Sequence, residues 1–345
     1  MLLPGSRKIL PPGSLGDAMV DWAEFPEHLR AKLASHPAIL SLRRKPRLHS
    51  DTSDFVKIDY GDVIHVDNRW FLVTGYTKEG RFGIDDQPKL WVPKVYDLES
   101  DQRLILKLVF HENYQVRFGG IEVTCYRTPE KEAKVIELTR GNPLFMQGYS
   151  ALDEVGNLVR ILDIVQGKRL DQVVYRLTDN HREYFENHLH GLLIRFLESA
   201  AGIGWLHRNG LNHGDIRRDH LFVDREYGHF CWIDFDYDFY LPERPGAIDL
   251  IGLGSVLLFL VGQQTFRANT LLKDPNFGES VVATINSNDL ALLGRDRIYN
   301  LRKIYHYIPK PLNDILLHFS AGTSVIYDEV DEFCDALQRA MSRIW

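Results

Sequence analysis

The chain has 345 residues, a formal net charge of -6, and 44% hydrophobic and 26% charged residues, the balance of a globular protein large enough for one sizeable domain or two small ones. The acidic balance argues against nucleic acid as a main partner, because neutralising phosphates takes a basic surface, although a local basic patch remains compatible with it. Cys125, Cys231 and Cys334 lie far apart, give neither a zinc nor a disulfide framework, and suit a reducing compartment.

In chain order, residues 1–58 mix Pro, Gly and basic residues around a short helical patch at Asp21 to Ala34, and read as an N-terminal extension. Pro11, Pro12 and Gly13 leave no secretory apolar core there. Residues 59–163 are strand-rich. Apolar and β-branched runs recur at Asp62 to Val66, Trp70 to Thr77, Lys89 to Leu98, Leu104 to Phe110 and Ile121 to Tyr126, punctuated by Gly, Asp and Asn. One helix interrupts them, opened by Thr128-Pro129 and striped by Ala133, Val135, Ile136 and Leu138. Strands return near Phe145 to Leu152 and Leu158 to Val165.

Residues 164–345 are mostly helical. Leu189, Leu192, Leu193, Phe196, Leu197, Ala200, Ile203 and Leu206 follow helical spacing through one long helix. Ile251 to Val261 is apolar all round, which predicts a buried helix, and it is too short and glycine-interrupted to span a bilayer. Ile326, Val330, Phe333, Leu337 and Met341 predict a last amphipathic helix. A β-rich half followed by an α-rich half is an α+β class with two lobes. The expected setting is cytoplasmic, with no membrane partner.

The chemistry concentrates after the long helix, in His213-Gly214-Asp215-Ile216-Arg217-Arg218-Asp219-His220 before the strand Leu221-Phe222-Val223, and then in Ile233-Asp234-Phe235-Asp236. Taken singly, either aspartate reads as a solvated turn residue. Together, and in this order, the two segments resemble the protein kinase-like superfamily, whose catalytic loop H-x-D-x-x-x-x-N is followed by a strand and then by D-F-G. The H-G-D form is similar to that of small-molecule kinases. The resemblance runs from about Tyr60 to the C-terminus and implies a two-lobed kinase-like fold, ATP as phosphoryl donor, Mg2+ or Mn2+ as metal, and a hydroxyl acceptor on a Ser/Thr or a small molecule. It gives Asp215 the role of catalytic base and Asp234 that of principal metal ligand.

The same resemblance gives Lys107, in Leu104-Ile105-Leu106-Lys107, contact with the α- and β-phosphates, and makes Glu132 its partner. The plainer readings are a snorkelling strand lysine and a surface helix charge, with Glu130 and Glu137 as rivals for the role. Gly80 and Gly83, in Gly80-Arg81-Phe82-Gly83, match the end of a phosphate-cradling glycine loop, and serve equally well as hairpin-turn residues. Asp249 is similar to the aspartate that braces the catalytic loop, with a helix N-cap as the competing explanation.

Three departures stand out. His220 replaces the metal-binding asparagine: it binds a softer ion, or hydrogen-bonds Asp215, or marks a lost second metal site. Asp236 replaces the glycine of D-F-G and would add a carboxylate at the metal. Arg217 would stabilise the transferring phosphoryl group, or pair with Asp219. Only Tyr237 to Ile248 separates Asp236 from Asp249, which leaves little room for a regulated activation segment, so Tyr237 and Tyr240 read as packing residues. The alternative to an active kinase is a pseudokinase acting as a nucleotide-binding or scaffold module.

Overall fold

The computed structural model describes residues 25–345 apart from 82–83, 119–120, 227, 242, 272–276, 278 and 295. The elements are, in order, α1 (Glu27–Ser35), α2 (Pro37–Leu40), β1 (Leu48–His49), β2 (Val63–Val66), β3 (Arg69–Arg81), β4 (Ile84–Asp97) and β5 (Arg103–Lys107). There follow β6 (Asn113–Phe118), β7 (Ile121–Arg127), α3 (Pro129–Leu138), β8 (Gly148–Leu152), β9 (Leu158–Asp163), β10 (Gly167–Arg169), α4 (Leu170–Val174), α5 (His181–Asn187) and α6 (Leu189–Arg208). The rest are β11 (Leu221–Asp224), β12 (Phe230–Trp232), β13 (Tyr237–Phe239), α7 (Ala247–Gly262), α8 (Ala268–Leu271), α9 (Glu279–Thr284), α10 (Lys310–Leu317) and α11 (Val330–Ile344). The N-terminal part is β-rich and the C-terminal part helical, as the α+β reading expects.

The chain forms two compact units. One holds the described residues up to Val109 together with Ala151–Ile161; the other holds Phe110–Ser150 and Leu162–Trp345. In the first, the strands run in the order β1-β2-β3-β4-β5, with Leu158–Ile161 of β9 following β5. Residues 25–58, read from sequence as an extension, are built into this unit. Phe25, Leu29, Leu33, Ala38 and Ile39 form one apolar cluster with Val63, Leu72 and Leu98. A buried charge network closes the same joint: Asp62 accepts from Arg44 Nη1 at 2.6 Å, Arg47 Nη2 at 2.7 Å and His49 Nε2 at 3.1 Å. Burial opposes ionisation of Asp62, yet these hydrogen bonds hold its carboxyl well below the usual range.

In the second unit α7 is the central buried element. Leu253, Val256, Leu257, Leu258, Phe259, Leu260 and Val261 are all enclosed, as a helix apolar on every side must be. It packs against α6 and α10, and α11 lies along α6. The β10-β11-β12 sheet and the β13-β7-β6 sheet both belong to this unit. Among the described residues no helix is long and apolar enough to cross a membrane.

Candidate active site

The site is built on the hairpin β11–β12. Its antiparallel register sets Leu221 opposite Trp232, so the residues just before β11 and just after β12 end side by side. Ile233 N donates to His220 O at 3.0 Å. Local pairing alone therefore brings the loop of residues 213–220 next to Asp234, which takes a left-handed backbone with φ 71°. That conformation costs a non-glycine residue free energy and is held by its surroundings: the following amide, Phe235 N, donates to Glu132 Oε1 at 3.2 Å.

His220 stands between the two aspartates. Its Nδ1 lies 2.9 Å from Asp215 O and 3.5 Å from Asp215 Oδ2, and its Nε2 lies 3.6 Å from Asp234 Oδ2. Asp215 O can only accept, so Nδ1 carries the hydrogen. Arg217 Nη2, 3.0 Å from Nε2, can only donate, so Nε2 presents its lone pair. Of the readings left open by the sequence, the hydrogen bond to Asp215 is present, made to its backbone carbonyl. Arg217 also donates to Asp219 Oδ2 at 2.8 Å and sets its Nε 3.8 Å from Asp215 Oδ1. Burial raises the pKa of the Asp215 carboxyl, while the guanidinium charge of Arg217 opposes the rise; a raised carboxyl is the better proton acceptor.

The loop itself is held from below. Asp249 Oδ2 accepts from His213 N at 2.7 Å, and its Oδ1 accepts from Gly214 N at 2.8 Å. His207 Nε2 sits 2.9 Å from Oδ2. Burial works against the Asp249 carboxylate, but the hydrogen bond and charge of His207 hold its pKa down. The helix cap is Gly246, with Asp249 inside the first turn of α7, so bracing the loop is its role and capping is not.

His213 is fully enclosed. Its ring meets Phe235 at 4.5 Å and Trp232 at 5.3 Å between centroids, and Nδ1 accepts from Asp215 N at 3.3 Å. Burial lowers its pKa to about 3, so the folded state holds a neutral imidazole. The unfolded chain takes up a proton below about 6.5 and the folded one does not. Stability from this group is complete above that pH and is lost as pH falls toward the folded value, at up to about 1.4 kcal/mol per pH unit. His213→Phe is therefore expected to flatten the fall in urea midpoint between pH 6.5 and 4. Equal slopes in the two proteins would show that His213 does not carry this pH dependence.

The packing roles of three site residues are not legible in the sequence. Lys131, in the first turns of α3, is buried and donates from Nζ to Asn212 Oδ1 at 2.7 Å, His213 O at 3.0 Å and Tyr237 O. Three acceptors satisfy its three hydrogens. Gly214 lies beneath it with φ 86°, and a Cβ there would come 1.9 Å from Tyr237 O. H-G-D thus follows from packing: a side chain has no room. Arg127 donates to Asp236 Oδ2 at 2.6 Å, Glu112 Oε2 at 3.0 Å and the Tyr237 hydroxyl at 2.5 Å, and its guanidinium lies 4.0 Å from the centroid of the Tyr237 ring.

Asp236, expected beside Asp234 at the metal, thus directs Oδ2 to Arg127. Among the described residues no group of three or more His, Cys, Asp or Glu side chains is placed to hold a metal ion, so Asp234, His220 and Asp236 are not gathered into one ligand set. The donors present fit a divalent ion of the kind that takes one or two protein carboxylates and completes its shell with phosphate oxygens and water. Asp234, 14% exposed at its side chain, would hold that ion.

Lys107 is buried at the end of β5, in the first unit. Glu132 is buried in α3 of the second unit, where Thr128 caps the helix by accepting from Lys131 N and Pro129 follows at the first position, as the sequence predicts. Gly80 lies near the end of β3 in the β3–β4 hairpin. Gly83 lies outside the described residues. Tyr237 packs in β13 against β7, whereas Tyr240 is 71% exposed and is not a packing residue.

No described protein family matches the sequence, and no curated protein does. Among solved structures, three mutant forms of the Mycobacterium tuberculosis PknI kinase domain align with this chain. One double mutant aligns over 79% of this chain and 95% of its own, at 12% identity and TM-score 0.44. A second double mutant and a single mutant align over 78% of this chain and 95% of their own at 14% identity, with TM-scores of 0.44 and 0.45.

Proposed function

We propose that the chain is an ATP-dependent phosphotransferase of the protein kinase-like fold, moving the γ-phosphoryl group of ATP to a hydroxyl. The observation that carries this reading is the pairing of Asp215 and Asp234 at the two ends of one hairpin, with His220 within 3.6 Å of both carboxylates, on a loop braced by Asp249. Two carboxylates so placed can divide the work of accepting a proton and holding a metal.

The acceptor hydroxyl gives its proton to Asp215 as its oxygen bonds to the γ-phosphorus. The bond from that phosphorus to the β–γ bridging oxygen breaks, and ADP leaves. A bound Mg2+ or Mn2+ would neutralise charge on the β- and γ-phosphates, with Asp234 as its protein ligand. Arg217, tied to Asp219, keeps a positive charge beside Asp215. Lys107, Glu132, Gly80 and Gly83 are assigned to the nucleotide on the resemblance alone. The short link between Asp236 and Asp249 favours a compact acceptor, either a small alcohol or a single protein loop carrying Ser or Thr.

Asp215→Asn is expected to lower phosphotransfer at least about 100-fold, as loss of a general base does, with ATP affinity within about threefold of wild type. Full turnover in this variant would remove Asp215 from the mechanism. One observation favours the pseudokinase alternative: Nε2 of His220, where the motif has asparagine, is already engaged by Arg217. That reading predicts nucleotide binding indifferent to metal and no turnover.

A further inference from the structure

Beside the catalytic loop the second unit contains a cavity of about 380 Å³, lined among others by Arg217, Arg218, Arg267, Arg297 and one carboxylate, Asp219. Its size falls within the range of small-molecule sites. Four guanidiniums around one space repel each other, and within an acidic chain such a concentration stands out. Two of them are neutralised: Arg217 by Asp219 at 2.8 Å, and Arg267 by Asp296 at 2.7 Å. Among the described residues Arg218 and Arg297 have no carboxylate partner. The Arg218 guanidinium lies over the Phe259 ring, 4.8 Å from its centroid. Arg297 is paired across an isolated β-bridge with Arg267, and bridged residues project their side chains to one face.

We propose that this cavity binds the dianionic group of a small acceptor, a phosphate monoester foremost, so that Arg218 and Arg297 hold the anion while the acceptor hydroxyl is presented to Asp215. This rests on the phosphotransferase reading and names its acceptor class. Planar guanidinium forks match phosphate oxygens in pairs. Two guanidiniums without carboxylate partners, flanked by two paired ones, suit two negative charges better than one. Arg217 links the cavity to the chemistry, since it lines the cavity and sets its Nε 3.8 Å from Asp215 Oδ1.

The test is calorimetric titration of inorganic phosphate into the full chain, saturated with the magnesium complex of a non-hydrolysable ATP analogue and, separately, without it. A single saturable phosphate site is expected. It should weaken roughly tenfold or more in the Arg218→Gln/Arg297→Gln double variant, and acetate should bind at least about tenfold more weakly than phosphate. Arg297→Gln alone, which removes no ring contact, carries the test should the double variant fail to fold, with unchanged thermal midpoint as the control. Absent phosphate binding, equal binding in wild type and variants, or acetate binding as tightly as phosphate would overturn the proposal. Phosphate binding that depends on Arg218 and Arg297 in a chain that ignores the nucleotide would support the anion site and remove the phosphotransferase reading instead.

Discussion

Gly214→Ala is expected to destabilise the protein by about 2–5 kcal/mol and to lower phosphotransfer more than about 100-fold. The backbone of Gly214 has φ 86°, and its added Cβ would meet the Tyr237 carbonyl oxygen at 1.9 Å and Lys131 Nζ at 3.0 Å. Tyr237 is fixed in β13 by pairing with Arg127, and Lys131 by three hydrogen bonds. The loop must move instead, and Asp215 moves with it. Gly214→Arg, which would install the H-R-D form, should be worse still. Urea denaturation with a phosphotransfer assay checks both; wild-type values for Gly214→Ala would show that the loop accepts a side chain and that the H-G-D form has another origin.

Arg127→Met carries the second large effect. Arg127 is buried between Asp236 and Glu112, and their charges offset the burial that would otherwise lower its pKa. Removing the guanidinium takes away the counter-charge of a buried carboxylate, a change that costs about 3–5 kcal/mol. The partner substitution Asp236→Leu in the same chain should restore part of the loss, because the carboxylate goes too. A double-mutant cycle is expected to give a coupling of about 1–3 kcal/mol. Additive effects would show that the 2.6 Å contact contributes no specific stabilisation. If Asp236 served mainly as a metal ligand, Arg127→Met would change metal dependence more than stability.

What the sequence revealed of this site follows from how local each feature is. His213, Asp215, His220 and Asp234 lie within one loop–hairpin segment, where the strand register alone brings His220 beside Asp234. Thr128-Pro129 marks a helix start through chemistry within three residues. The contact roles of Lys131, Gly214 and Arg127 leave no such mark, because they depend on partners remote in the chain. Lys131 reaches Tyr237 across 106 positions and Arg127 reaches Asp236 across 109. A carboxylate after D-F reads naturally as a metal ligand, and nothing near Asp236 in the sequence announces Arg127 as its ion-pair partner. The segment 25–58 looked peripheral because α1 offers only Leu29 and Leu33 as buried residues; its place is set by Val63, Leu72 and Leu98 on the sheet.

The central claim is that Asp234 holds a metal for a bound nucleotide in an active phosphotransferase. Calorimetric titration of ATP with magnesium, with manganese and with EDTA, on wild type and Asp234→Ala, tests it most directly. Metal-dependent binding in the wild type, lost or weakened at least about tenfold in Asp234→Ala, is the result expected when a carboxylate ligand is removed. No ATP binding, or binding indifferent to metal and to Asp234, would contradict the account.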